Sequence, residues 1–192
     1  MQTHSKVYDS YPQAEQVVRE LEASGVPSQD ISIVANRSVD NRNGDARDES
    51  TPTATGAGVG VGAAVGGGAG LLAGLGLMAI PGLGPVVAAG WLAATALGAI
   101  AGTATGGLIG ALVGSGVSET EAHTYAESIR RGGTLVTVKS DVPNVETIMA
   151  RHKPIDPVAR RNEYQQSGWK EFDPKAPEHR PTQAEIDRIR RP

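Results

Sequence analysis

Apolar residues near the start of the chain follow two rhythms in turn. Ala14, Val17, Val18 and Leu21 share one face of a predicted helix, which opens at a Ser10/Gln13 capping-box pair with Pro12 in the first turn and stops at Gly25. Lys6 to Asp9 forms a short extended start before it. Beyond Pro27, Ile31 to Ala35 has the β-branched content of a buried strand. The same grammar returns late in the chain. Ser118 and Glu121 form a second capping box ahead of a helix whose face is Ala122, Tyr125, Ala126 and Ile129, ended by Gly132 and Gly133. Thr134 to Lys139 (TLVTVK) predicts a strand, and Pro143 to His152, bearing Val145, Ile148 and Met149, a short helix. A last strand is predicted over Ile155 to Ala159, confined to an edge by Pro157. From Arg161 onward, polar residues and prolines predict a loose, flexible tail with a short helix at Thr182 to Arg190. Strands alternating with helices predict a small α/β layer of βαβ type, built from both flanks of the chain.

Between those flanks the pattern changes. From Glu49 to Glu119 lie 69 residues without an Asp, Glu, Lys, Arg, His, Asn or Gln, and 20 of the 25 glycines fall in this window. Glycine recurs every fourth residue at Gly58, Gly62, Gly66, Gly70 and Gly74, and again at Gly98, Gly102, Gly106, Gly110 and Gly114. That spacing places each ladder on one face of a helix. Pro81, Gly82, Gly84 and Pro85 between the ladders are a turn cluster, so the window is expected to form an antiparallel helical hairpin over 57–79 and 91–116, with each rung opposite its counterpart. The chain then divides into 1–37, the first part of the α/β domain; 38–55, a polar linker; 56–117, the hairpin; 118–161, the second part of the domain; and 162–192, the tail.

Glycine inside a helix costs about 1 kcal/mol relative to alanine, and close backbone packing along a small-residue stripe is the known compensation. Helices of these lengths would be roughly 35 and 39 Å long, enough to cross a hydrocarbon core. The expectation is therefore a non-enzymatic protein whose cytoplasmic α/β domain is tethered to the inner-membrane bilayer by a glycine-zipper hairpin that also self-associates. The alternative is a soluble, cytoplasmic homo-oligomer in which hairpins form a buried central helical core. A small-ligand-binding module or enzyme is a further alternative, resting only on the α/β layer.

Composition narrows the chemistry. The chain has 192 residues, no cysteine, and 18 basic against 21 acidic residues for a net charge of −3. Absent cysteine removes disulfides, thiolate metal sites and cysteine nucleophiles; the near balance of charge argues against nucleic acid as a partner. His4, His123, His152 and His179 have no metal-ligand spacing, so no metal, cofactor or catalytic residue is assigned, and no small-molecule substrate is identified. GxGxxG matches in the window have no apolar strand before them and no lysine or ribose-binding acid after them. Asp9, Glu121, His123 and Glu127 invite an acid–base story, but solvated helix faces explain them as well. Arg130, Arg131, Lys139, Arg151, Lys153, Arg160 and Arg161 give the second flank a basic excess that would suit anionic headgroups if the hairpin inserts. Met1 to Ser10 lacks the apolar run of a secretory signal.

Three segments, "YDSYPQAEQVVRELEASGVPSQDISIVAN", "LLAGLGLMAIPGLGPVVAAG" and "ETEAHTYAESIRRGGTLVTVKSD", together resemble the bacterial general stress protein family with a YflT-type domain. The resemblance spans about residues 5–160 and implies a stress-associated protein with an α/β domain interrupted by a glycine-rich apolar insertion. It carries no catalytic residues across. The polar start "THSKVYD" departs from the apolar first strand such a domain would have.

Overall fold

The computed structural model describes residues 2–36, 76–80, 82–99, 107–177, 179 and 182–189. Its centre is a five-stranded, wholly antiparallel sheet made of β1 (Gln2–Tyr8), β2 (Ile31–Asn36), β3 (Gly76–Ile80), β4 (Gly84–Gly90) and β5 (Thr134–Ser140) in the order β1-β5-β2-β4-β3. β1 and β2 both run antiparallel to β5 between them, so α1 (Tyr11–Ala23) connects two parallel strands that do not touch. β4 and β5 flank β2 in the same way, joined through α2 (Trp91–Ala99), α3 (Leu108–Gly114) and α4 (Glu119–Arg130).

The period of two along each strand sorts the core into two layers. Val7, Val34, Val86, Ala88 and Leu135 face α2, α3 and α4, where Leu92, Leu108, Leu112, Tyr125 and Ile129 close the layer. Tyr8, Ile31, Ile33, Val136 and Val138 face the other way, onto Val17, Val18 and Leu21 of α1 and Ile148 and Met149 of α5 (Val145–Arg151). The apolar faces expected for both long helices are the buried ones, including Ala14 and Ala126. Of the two capping boxes, the second forms: Glu121 N–H donates to Ser118 Oγ, which in turn donates to the Glu121 carboxylate. The first does not, because Gln13 reaches instead to the His152 carbonyl. The polar first strand forms despite its sequence: β1 pairs with β5 along its whole length, and Ser5 Oγ donates to Thr137 Oγ1 across the pair.

Where it is described, the glycine-rich window differs from the helical hairpin expected of it; residues 56–75 and 100–106, and the predicted polar linker over 38–55, lie outside the described residues. Residues 76–79, the predicted end of the first long helix, are the first four residues of strand β3. The turn cluster does reverse the chain, but as a β-hairpin: Leu83 N–H donates to the Ile80 carbonyl, Gly82 takes φ 78°, and Gly84 and Pro85 begin β4. Pro81 lies outside the described residues. A proline and glycine turn closes a β-hairpin as readily as a helical one; what decided between them was the free edge of β2, which gives β4 a ladder from Val86 to Gly90. The second predicted helix, 91–116, is not continuous as described: helix runs over Trp91–Ala99 and again over Leu108–Gly114, and Gly107 ahead of the latter has φ 81° and ψ −144°, a glycine-only conformation. Among the described residues no helix is long and apolar enough to cross a membrane. Strands β3 and β4 also place part of 56–117 inside the α/β sheet itself.

Among the described residues the C-terminal region, expected as a loose tail, carries two helices. The predicted edge strand over 155–159 makes a single bridge, Ile155 N–H to the Val7 carbonyl. The chain then turns into α6 (Pro157–Gln166), whose Asp156 N-cap accepts from Val158 and Ala159 N–H and whose Pro157 sits where a first turn tolerates it. Tyr164 and Phe172 are buried, and α7 (Gln183–Ile189) matches the short helix expected there. Two aromatic anchors hold this segment, which its polar average concealed.

Candidate functional site

Of the ten ladder glycines, Gly58, Gly62, Gly66, Gly70, Gly74, Gly102 and Gly106 lie outside the described residues. Gly98 lies in α2, and Gly110 and Gly114 in α3. A Cβ at Gly114 would meet nothing within 4 Å among the described residues. Among the described glycines, backbones approach closely at Gly82 and Gly90. A Cβ on Gly90 would sit 2.1 Å from the Ile31 carbonyl oxygen on β2, and one on Gly82 would sit 2.6 Å from Pro174 Cα.

The residues of the acid–base story do not converge. Asp9 pairs with Arg160 at 3.0 Å, Glu121 belongs to the α4 cap, and His123 Nδ1 accepts the Phe172 N–H. His4 and Lys6 share Glu146, whose carboxyl the Lys6 hydrogen bond holds below its ordinary range against the opposing effect of burial. His152 Nε2 lies 2.6 Å from Glu20, and this contact, with Arg151 beside it, holds the Glu20 carboxyl low. Among the described residues no cluster of three His, Asp or Glu side chains is arranged to hold a metal.

Glu127 is the exception to solvated-face chemistry. Its side chain is 0% exposed, and it accepts a two-pronged bond from Arg130 (Nε and Nη2, both 2.9 Å) and a third from Arg131 Nε at 2.7 Å. Spacing by three and four along α4 brings both guanidiniums onto one carboxylate. Arg131 also lies over the Tyr164 ring, 4.4 Å from its centroid, and Tyr164 Oη donates to Ser128 Oγ at 3.1 Å. Burial pushes the Tyr164 phenol up. From the C-terminal segment, Glu185 reaches Arg131 Nη1 at 3.4 Å, while His179 Nε2 and the Thr182 N–H and Oγ1 hold its other oxygen at 2.7–2.9 Å. Desolvation acts to raise the Glu185 carboxyl, but the bonds from His179 and Thr182 win and bring it down to about 2. A cavity of about 10 Å³, the space of one water, lies beside this corner between Ser128, Arg131, Arg160, Tyr164 and Glu185.

Arg130 and Arg131, expected among a basic surface, are therefore largely covered, at 14% and 19% exposed. Lys139 stands over the Trp91 ring at 3.5 Å, Arg151 is paired with Glu20, and Arg160 with Asp9. These cations face different elements instead of one plane. The corner was readable only as i, i+3 and i, i+4 spacing of Glu127 with the two arginines, a pattern that exposed helices share.

Residues 4–80 match the family model described as the heat induced stress protein YflT domain, which supports the YflT-type family and fits a stress-associated role. The matched stretch contains all of α1, β2 and β3 and most of β1. No curated protein and no solved structure matches the chain.

Proposed function

We infer that this YflT-type, stress-associated chain is non-enzymatic and acts by assembling with copies of itself in water, through the β3–β4 margin of its sheet. One contrast between the two sheet edges carries the reading. Edge strand β1 bears His4 and Lys6, both tied to Glu146, which is the charged character that discourages edge-to-edge pairing. Edge strand β3, Gly-Leu-Met-Ala-Ile, has no charge and no proline, and among the described residues nothing pairs with its outer side. Among the described residues the adjacent sheet face is also thinly covered. α1 and α5 pack over β1, β2 and β5, while Pro85 and Val87 of β4 stay half-buried outside both core layers. In the ladder, Leu77 pairs with Val87 and Ala79 with Pro85. An apolar margin of this kind is stabilised by a second copy. This replaces the expected bilayer tether, for which the described helices supply no span, and it moves the expected homo-oligomer contact from a helical core to a sheet margin.

Size-exclusion chromatography with light scattering on the full chain, without detergent, tests the reading. A discrete oligomer that becomes monomeric in Leu77→Lys, with far-UV circular dichroism unchanged, supports it. A monomeric wild type, or an oligomer indifferent to the substitution, refutes it. Recovery of the chain only in the detergent-extracted membrane fraction refutes it too.

A further inference from the structure

The C-terminal segment returns to the body of the protein and ends in one polar contact. Phe172 is buried and its N–H bonds His123; Pro174 sits on the Gly82 turn; the Pro177 carbonyl accepts from Arg130 Nη1 at 3.3 Å; Glu185 then meets Arg131. Beyond Pro177, among the described residues, the hold centres on Glu185, whose side chain is 12% exposed; in α7, Gln183, Ala184 and Asp187 are exposed and Ile186 is partly buried.

The corner that receives Glu185 is complete without it. Glu127 gathers both guanidiniums, leaving one carboxylate against two cations, and the excess positive charge faces Glu185. Arg131 is pinned by its Nε bond to Glu127 and by the Tyr164 ring, so its Nη1 edge is presented in a fixed orientation before any ligand arrives. Ser128, Tyr164 and Arg160, the last paired with Asp9, line the small cavity next to it. Planar, oriented guanidinium edges of this kind suit oxyanions.

We propose that the Arg130–Arg131 corner is a binding site for a small oxyanion, carboxylate or phosphate, and that Glu185 is its built-in competitor. His179 and Thr182 preorganise the Glu185 carboxylate as an internal ligand, and an external oxyanion of the same chemistry displaces it together with α7. The proposal does not depend on self-association.

Inorganic phosphate and acetate are titrated calorimetrically into the full-length wild type, Glu185→Gln, and Glu185→Gln combined with Arg131→Lys. An internal ligand seated about 90% of the time lowers apparent affinity about tenfold. Glu185→Gln is therefore expected to bind at least one of the two anions about tenfold more tightly than wild type. Arg131→Lys keeps a cation beside Glu127 but removes the oriented Nη edge, and it is expected to abolish that gain. In the wild type, the bound anion should speed hydrogen exchange at the backbone amides of 182–187 while α4 stays protected. Phosphate binding with acetate silent assigns the site to phosphate; the converse assigns it to carboxylates. Equal affinity of wild type and Glu185→Gln for both anions, a gain that survives Arg131→Lys, or unchanged exchange at 182–187 in the anion-saturated wild type would overturn the proposal.

Discussion

Gly25 and Gly90 share nearly the same backbone conformation, φ 94° and φ 88°, in surroundings that differ completely. Gly25 follows α1, where Gly25 N–H bonds the Glu22 carbonyl and Val26 N–H the Leu21 carbonyl, and a Cβ there would meet nothing within 4 Å. Replacing it with alanine carries only the left-handed penalty, about 1–2 kcal/mol. At Gly90 the same penalty applies, and the new Cβ would also stand 2.1 Å from Ile31 O and 2.8 Å from Ser32 Cα, both backbone atoms of β2. Backbone cannot rotate aside as a flexible side chain does, so β4 must move off β2 at the Ser32–Gly90 pair. Overpacking adds about 1–3 kcal/mol and each lost ladder bond about 1 kcal/mol. Gly90→Ala should therefore cost roughly 4 kcal/mol or more, against a total stability of about 5–15 kcal/mol for a folded domain. Urea unfolding followed by circular dichroism reads both variants against wild type. Gly25→Ala should lower the midpoint modestly, while Gly90→Ala should leave a chain unfolded at low urea or close to it. Equal destabilisation of the two would refute the placement of β4 against β2, and with it the margin assigned to self-association.

Two further outcomes follow from the arginine corner. Glu127→Ala leaves two poorly exposed guanidiniums without their carboxylate and should cost about 3–5 kcal/mol, lowering Tm by roughly 10 °C; a loss below about 1 kcal/mol by calorimetry would show that both cations escape to water. Glu185 is held at about 2 against an ordinary 4.5, so its folded-state pKa is depressed. Its contribution to seating α7 is full above pH 4.5 and is lost as pH falls toward 2, and the amide resonance of Thr182, which donates to this carboxylate, should titrate near 2. A midpoint near 4.5 would mean that the contact does not form in solution.

Local sequence alone was enough for α1, α4, α5, β2 and β5, because each carries its own periodicity or β-branched run between recognisable stops, and Ser118 with Glu121 formed the cap that its spacing announced. It could also show that residues 50–118 hold no charge, and hence that their apolar surface needs a dry partner. It could not say which partner. Gly76–Ile80 and Gly84–Gly90 are apolar in nearly every position, so neither a helical nor a strand period is written in them, and the free edge of β2 decided the outcome. The C-terminal segment likewise reads as polar, and Tyr164 and Phe172 became anchors only where α4 and the β3–β4 turn offered a surface. Glu127 with its two arginines was visible as a spacing. Its burial, and so its meaning, required layers contributed by residues far apart in the chain, since desolvation belongs to an assembled environment and not to any stretch of sequence.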